Sequence, residues 1–147
     1  MRLVQVAPGR GRSILAVMLG ERDYVMRLVK QLAEFIARAL KLASSAKPEE
    51  ALATLREACS SALGMEYEVL SMLDVESAVE LLGEPARVLA FIRLVEAMGD
   101  VDARGAEPVR ALTRYQHALE LTEALLAGRG DLPEATELAT RLRTKTA

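Results

Sequence analysis

The sequence predicts an all-α fold, a single domain of about six or seven packed helices. Hydrophobic residues make up 51% of the 147 residues, yet aromatic residues make up only 3% and tryptophan is absent. The core must therefore be built from Leu, Ala, Val, Ile and Met, which is the composition of packed helices. Five prolines and nine glycines fall mostly between the periodic segments, where they favour short turns. A chain of this length can bury a core without a disulfide or a metal.

The longest early helix is predicted for residues 23–43, DYVMRLVKQLAEFIARALKLA. Outside one narrow polar side, its residues form an apolar stripe that is wider than the roughly 100° that one packing face requires. We therefore expect this helix to pack on two sides. Asp23 is expected to cap the helix, because its carboxylate can accept hydrogen bonds from free backbone N–H groups. The polar residues recur at alternating steps of four and three, which places them on one narrow side; they are Arg27, Gln31, Glu34, Arg38 and Lys41.

The domain, residues 1–147, is expected to have three parts. Residues 1–20 form an N-terminal arm and a short helix, in which the β-prone stretch MRLVQV has no partner strand in its own chain. Residues 23–83 form the helical core, and residues 85–145 form the last helices. The helices expected after the first one span residues 48–62, 65–73, 75–82, 85–98 and 108–127, with a final helix after Asp131.

Turn and capping residues set these boundaries. Prolines are expected in the first turns of helices, glycines just after the last turns, and residues 99–105 are expected to form a loop. Glu96 is expected on the solvent side of its helix. The specific assignments are Pro48, Pro85 and Pro108 at helix starts, Gly64 and Gly83 at helix ends, Asp74 as an N-cap, and Asp131 with Glu134 as a capping box.

One stretch resembles the second half of a tetratricopeptide repeat. Gly99-Asp100 is followed by Ala111-Leu112, Tyr115 and Ala118, and that repeat has an alanine, an aromatic residue and a second alanine on its packing face. Residues 101–110 insert between the glycine and the first alanine, which departs from the repeat. GDLPEA at residues 130–135 resembles the turn again. The resemblance implies a degenerate pair of repeat-like helices over roughly the last 60 residues.

A second resemblance covers the first long helix. Arg22-Asp23-Tyr24-x-Met26-Arg27 and the following QLAEFIAR at residues 31–38 are similar to the start of an uncharacterised family of small bacterial helical proteins, whose C-terminal halves also resemble tetratricopeptide repeats. This resemblance implies a fold but brings no activity, cofactor or catalytic residue with it.

Charge and cysteine content limit the classes of partner. The net charge is −2 and the pI is near 5.6, so binding to nucleic acid is not expected. No apolar stretch reaches the roughly 20 residues that span a bilayer, and Arg2, Arg10 and Arg12 precede too few apolar residues for a signal peptide. We therefore expect a cytoplasmic protein without a membrane partner. Cys59 is alone, which excludes an internal disulfide, and its apolar helix face predicts a buried thiol.

Two sets of residues are candidates for ligand binding. Arg10 and Arg12 lie in a glycine-containing turn, where charge and backbone N–H groups could hold an anion. The only histidine, His117, shares a helical face with Glu120 and Glu123, which offers an incomplete metal shell. No sequence elbow presents a serine or cysteine nucleophile, so no cofactor is expected and an enzyme is the less favoured class.

Residues 100–105 begin like a calcium loop. Arg104 is at the fifth position and Ala111 at the twelfth, where oxygen ligands are required. We interpret the segment as a turn with capping aspartates.

The function that these observations predict is a non-enzymatic protein–protein interaction or scaffold module, expected to be a homodimer. The partner is expected to occupy a shallow groove of the repeat-like helices. The dimer contact is expected at residues 14–19 and along one flank of the first long helix, because the apolar stripes exceed what one small domain can face inward. The alternative is a small-molecule, anion or metal-binding protein that uses His117 with nearby carboxylates, or Arg10 and Arg12.

Overall fold

A computed structural model describes residues 10–129 and 131–147, and side chains at Gly20, 23–129 and 131–147. This part of the chain is one helical domain in which no strand occurs, so the all-α prediction is confirmed. None of its helices has the length and apolarity needed to cross a membrane. The seven helices are α1 (Arg10–Ser44), α2 (Pro48–Leu63), α3 (Tyr67–Met72), α4 (Val75–Leu82), α5 (Pro85–Arg104), α6 (Pro108–Gly128) and α7 (Pro133–Thr146).

Helix α1 begins earlier than the sequence analysis predicts. It starts at Arg10 and continues through Asp23, so the prediction that Asp23 caps a helix is wrong. The basic turn expected over residues 7–13 is wrong for residues 10–13, which are helical, and residues 7–9 lie outside the described residues. The reason is that Gly20 costs a helix only about 1 kcal/mol, which a helix of 35 residues tolerates. The β-prone stretch at residues 1–6 lies outside the described residues. The side of α1 that faces the core carries Leu28, Leu32, Phe35 and Ala39.

Two antiparallel helical hairpins, α1–α2 and α5–α6, share the same turn. Ala46 and Ala106 adopt left-handed backbone angles, with φ of 61° and 59°. Each is followed by one residue and then by a proline that opens the second helix. The residue after each alanine closes the turn with a hydrogen bond of 2.9 Å from its N–H group to a carbonyl oxygen in the last turn of the first helix. The hairpins are therefore two copies of one local structure.

The same hairpins bury small residues at matching positions. Ala39, Ala51 and Ala58 in the first hairpin are fully buried, and Gly99, Ala111 and Ala118 occupy the positions sixty residues later in the second. Small side chains let the two helices of a hairpin approach closely. At Gly99 the approach is closest, because an added Cβ would lie 2.5 Å from the ring of Tyr115. The two hairpins also contact each other, because α1 and α2 both pack on α5.

Several predicted boundaries are confirmed between the hairpins, where α3 and α4 lie. Gly64 ends α2 with φ of 69°, and Gly83 ends α4 with φ of 81°. Asp74 caps α4, because its Oδ1 accepts a hydrogen bond from the Ser77 N–H group at 2.8 Å. Pro48 and Pro108 each lie in the first turn of their helices, as predicted.

Two other predicted boundaries are wrong. Residues 99–104, predicted as a loop, are the last turns of α5, since the Gly99 position is required by packing and does not interrupt the helix. The capping box of Asp131 and Glu134 does not form: α7 follows Leu132 without a side-chain cap. Glu134 instead forms an ion pair with Arg93 of α5.

Arginines close the ends of helices that come from distant parts of the chain. Arg87 donates to the backbone oxygens of Leu82 and Leu63, at 3.0 and 2.9 Å, at the ends of α4 and α2. Arg104 donates to the Leu40 oxygen and the Ser44 hydroxyl at the end of α1, both at 3.1 Å. Cations at helix C-termini satisfy free carbonyls and oppose the helix dipole.

A charge network around the buried Glu96 joins α5 to α7, which run in parallel. Arg141 donates to both oxygens of Glu96 at 2.8 Å, and Lys145 bridges Glu96 and Asp100 at 2.9 and 3.0 Å. The Tyr115 hydroxyl donates to Asp100 at 2.6 Å. Glu96 is therefore buried, and its predicted place on the surface is wrong. Burial opposes its ionisation, but the hydrogen bonds from Arg141 and Lys145 outweigh burial and lower its pKa.

Cys59 has the buried environment that its helix face predicts. Its side chain is fully enclosed, and burial, with the nearby carboxylates of Glu66 and Glu68, raises the pKa of the thiol to about 12. The thiol is therefore protonated and packs as a small apolar side chain.

Candidate binding groove

A groove of about 690 Å³ lies between α3, the start of α4 and one side of α6. We call it the α4–α6 groove. On α6 its lining begins at Val109 and ends at Glu120, a distance of about 16 Å at 1.5 Å per residue. The other α6 residues of the lining are Arg110, Thr113, Arg114 and His117, and the opposite wall consists of Tyr67, Ser71, Leu73, Asp74, Val75 and Glu76.

An aromatic cluster supports the floor of the groove. Phe91 of α5 is fully buried, and its ring centroid lies 6.2 Å from that of Tyr67 and 6.3 Å from that of His117. The His117 ring meets Phe91 edge to face, a favourable arrangement for two rings. Burial lowers the pKa of His117 from its usual 6.5, so the imidazole is neutral at pH 7.

A buried aspartate holds the basic side chains of the groove. Asp102 of α5 is 2% exposed, and its two oxygens accept from Arg110 at 3.0 Å and from Arg114 at 2.7 Å. Arg114 also donates to the Tyr67 hydroxyl at 2.9 Å and to the Met98 sulfur at 3.4 Å. Arg114 therefore connects α5, α6 and α3, and both guanidinium groups are held in place before any ligand binds.

The acidic side chains of the groove are free of ion pairs. Asp74, Glu76 and Glu120 are exposed and line it, and none has a cationic partner within 4.0 Å among the described residues. The hydrogen bonds that the Ser77 N–H and hydroxyl groups give to Asp74 lower the pKa of that carboxyl. Asp102 neutralises only one of the two arginine charges, but with Asp74, Glu76 and Glu120 included, carboxylates outnumber guanidinium groups and the groove has a net negative charge.

Apolar side chains are exposed beside these charges. Val109, at the start of α6, is 77% exposed and lines the groove, together with the partly buried Leu73 and Val75. The neighbouring α3 carries Met72 at 85% exposure. The surface thus combines an apolar strip with carboxylates, which is suited to contact with an amphipathic segment.

A second exposed apolar surface lies on α1. Val25, Met26 and Val29 are 36%, 63% and 49% exposed, and Val25 and Val29 line a narrow cleft between α1 and α5 together with Ala86 and Leu89. We call Val25, Met26 and Val29 the α1 face. The rest of the predicted dimer contact, residues 14–19, has its backbone in α1 but its side chains are outside the described set.

The structure separates the predicted ligand residues. His117 and Glu120 line the α4–α6 groove, whereas Glu123 forms an ion pair with Arg143 of α7 at 3.7 Å. Among the described residues no three His, Cys, Asp or Glu side chains come close enough to hold a metal ion. Arg10 and Arg12 lie in the first turn of α1, and their side chains are not among those described.

The calcium-like segment is part of a helix and not a turn. Asp100 and Asp102 are two residues apart on α5, so they point to opposite sides, toward α7 and α6 respectively. Their interpretation as capping aspartates is wrong, because each is a hydrogen-bond acceptor for cationic side chains of a neighbouring helix.

Comparison with protein-family models, curated proteins and solved structures gave no match to this chain. The groove's central residues, Asp102, Arg114 and Tyr67, were not identified from the sequence. The one signal that could have suggested them is the spacing of Arg110 and Arg114, four residues apart on one helical face.

Proposed function

We propose that this protein is a non-enzymatic interaction module that binds a segment of a partner protein in the α4–α6 groove. The observation that carries the proposal is the groove itself, a concavity of about 690 Å³ with an exposed apolar residue, Val109, on its edge. Large exposed apolar surfaces bordered by polar residues are typical of interaction sites.

The arrangement of the polar side chains in the groove supports a binding function over a catalytic one. Arg110 and Arg114 are committed to Asp102, and His117 packs against Phe91. Each group therefore has a structural role that fixes the shape of the groove. A preformed surface binds with less loss of conformational entropy than a mobile one.

A tetratricopeptide-like architecture is part of the same proposal. Its support is that α5, α6 and α7 pack on one another in sequence order over residues 85–145, with Gly99, Ala111, Tyr115 and Ala118 buried. Repeats of this kind stack helical pairs and use the resulting surfaces for binding. The proposal also keeps the cytoplasmic location, supported by the free thiol of Cys59, which a reducing compartment preserves.

Photo-crosslinking tests the proposed function. A photoreactive amino acid replaces Val109 in the groove in one variant and Glu137, an exposed residue of α7, in a matched control. Irradiation in cells of the native host is expected to give a discrete crosslinked protein from position 109 only. Equal products from both positions, or none from position 109, would contradict the proposal.

A second candidate function, homodimerisation, is favoured by the α1 face. Its three apolar side chains are exposed to solvent, and two of them, Val25 and Val29, lie at the cleft with α5; symmetric dimers are the commonest oligomers. Light scattering should give twice the chain mass of 16.0 kDa, and Met26→Glu with Val29→Lys should return it to the monomer mass. A monomer at high protein concentration would exclude this contact.

A further inference from the structure

We propose that the occupant of the α4–α6 groove is a basic amphipathic helix of a partner protein. This inference rests on the proposed function and specifies the chemistry of the partner. Three features of the groove support it: its length and walls, the charge of its free side chains, and the position of its apolar residues.

The walls of the groove favour a helix over an extended segment. One wall is α6, and the other consists of α3, the α3–α4 junction and the first turn of α4, so no β-strand of the described chain borders the groove. An extended segment would find no strand edge to pair with, so its own backbone groups would stay without partners from the protein. A helix satisfies its backbone internally. The lining of α6, about 16 Å long, matches roughly three turns of such a helix.

The free charges of the groove favour a cationic partner. Asp74, Glu76 and Glu120 line it without ion pairs in the described chain, whereas Arg110 and Arg114 share the carboxylate of Asp102, so carboxylates outnumber cationic groups around the groove. Glu80 extends the acidic surface along α4, in a cavity that shares Leu73 with the groove. Lysine or arginine residues on one side of a partner helix would therefore meet carboxylates that have no other counter-ion.

The apolar residues of the groove determine which side chains the partner helix presents on its second side. Val109, Val75 and Leu73 lie in the same groove as the carboxylates, and Val109 is mostly exposed to solvent. Apolar side chains recurring every three to four residues on a helix would cover them. Binding would then bury the apolar strip and leave the cationic residues at the acidic edge.

Peptide binding measured by fluorescence anisotropy tests the inference. Three synthetic helical peptides carry leucines at identical positions and differ only in having lysine, glutamate or glutamine at the polar positions. The lysine peptide is expected to bind most tightly. Glu76→Gln with Glu120→Gln is expected to weaken its binding about fivefold, since each exposed charge pair contributes only modestly to binding.

Two controls separate this inference from the proposed function. Glu57→Gln with Glu137→Gln changes the net charge equally at exposed positions outside the groove and should change affinity less than about twofold. Val109→Gln should weaken every peptide that binds. If the glutamate or glutamine peptide binds best and still depends on Val109, the charge inference is overturned and the groove function stands. If no peptide binds, or if Val109→Gln has no effect on binding, the charge inference and the proposed groove function are both overturned.

Discussion

Substituting Gly99 with alanine should destabilise the protein, although alanine is the better helix former. Gly99 lies inside α5, and an added Cβ would be 2.5 Å from Cε1 and 2.8 Å from Cδ1 of Tyr115. Tyr115 cannot move freely, because its ring is 8% exposed and its hydroxyl donates to Asp100 at 2.6 Å. The new methyl group therefore forces α5 and α6 apart or displaces the ring.

The expected magnitude combines three contributions. Overpacking a core costs about 1 to 3 kcal/mol, and a disturbed hydrogen bond to a charged group costs about 1.5 to 3 kcal/mol. The better helix propensity of alanine returns about 1 kcal/mol. We expect Gly99→Ala to lower the free energy of unfolding by about 2 to 4 kcal/mol, or the Tm by about 5 to 10 °C for a chain of this size.

Urea denaturation followed by circular dichroism measures this change against a matched control. Gly20 is also helical, but nothing lies within 4 Å of an added Cβ, so Gly20→Ala should stabilise the protein by about 0.5 to 1 kcal/mol. In a Tyr115→Leu background, Gly99→Ala should lose most of its cost. The packing argument is refuted if Gly99→Ala raises the free energy of unfolding as Gly20→Ala does.

Three further predictions concern stability. Arg114→Ala should lower the free energy of unfolding by about 3 to 5 kcal/mol, since it leaves buried Asp102 with one partner. Arg110→Ala should lower it by under about 1 kcal/mol, because the Arg110 side chain is 47% exposed. Equal losses in urea denaturation would contradict this difference. Leu32→Asp should abolish the cooperative thermal transition, because Leu32 is 3% exposed and burying a carboxylate costs several kcal/mol. An unchanged Tm would contradict the core position of Leu32. The pKa of Glu96 is lowered in the fold from its usual 4.5, so its stabilising contribution is complete above that pH and is lost as pH falls through the lower folded-state pKa. The stability gap between wild type and Glu96→Gln should therefore be constant near neutral pH and shrink once pH falls below 4.5. A gap that stays constant in acid would exclude this linkage.

Helix boundaries between Pro48 and Gly83 could be predicted because local chemistry fixes them. Pro48, Gly64, Asp74 and Gly83 each require a backbone conformation or a hydrogen bond that occurs at only one end of a helix. Gly99 misled the prediction for the opposite reason. A glycine is required at this position because α6, which follows later in the chain, packs closely against it. A local rule cannot distinguish a glycine required by packing from a glycine that ends a helix in a turn.

The buried charges and the groove could not be predicted for a related reason. Helical periodicity assigns Glu96 to a face of α5, but whether α7 covers that face depends on packing between separate elements. The groove likewise depends on where α4 lies against α6. His117 and Glu120 were identified as ligand candidates from their spacing, and they line one surface, but their neighbours Arg114 and Tyr67 come from long-range contacts.

The measurement that tests the central claim most directly is a nuclear magnetic resonance titration of ¹⁵N-labelled protein with the lysine peptide. Amide shift changes report which residues the bound peptide approaches. The proposed binding site predicts that the largest changes cluster in residues 71–76 and 109–120, the two walls of the α4–α6 groove. Changes confined to α7 or to the α1 face, with the groove unaffected, would contradict it.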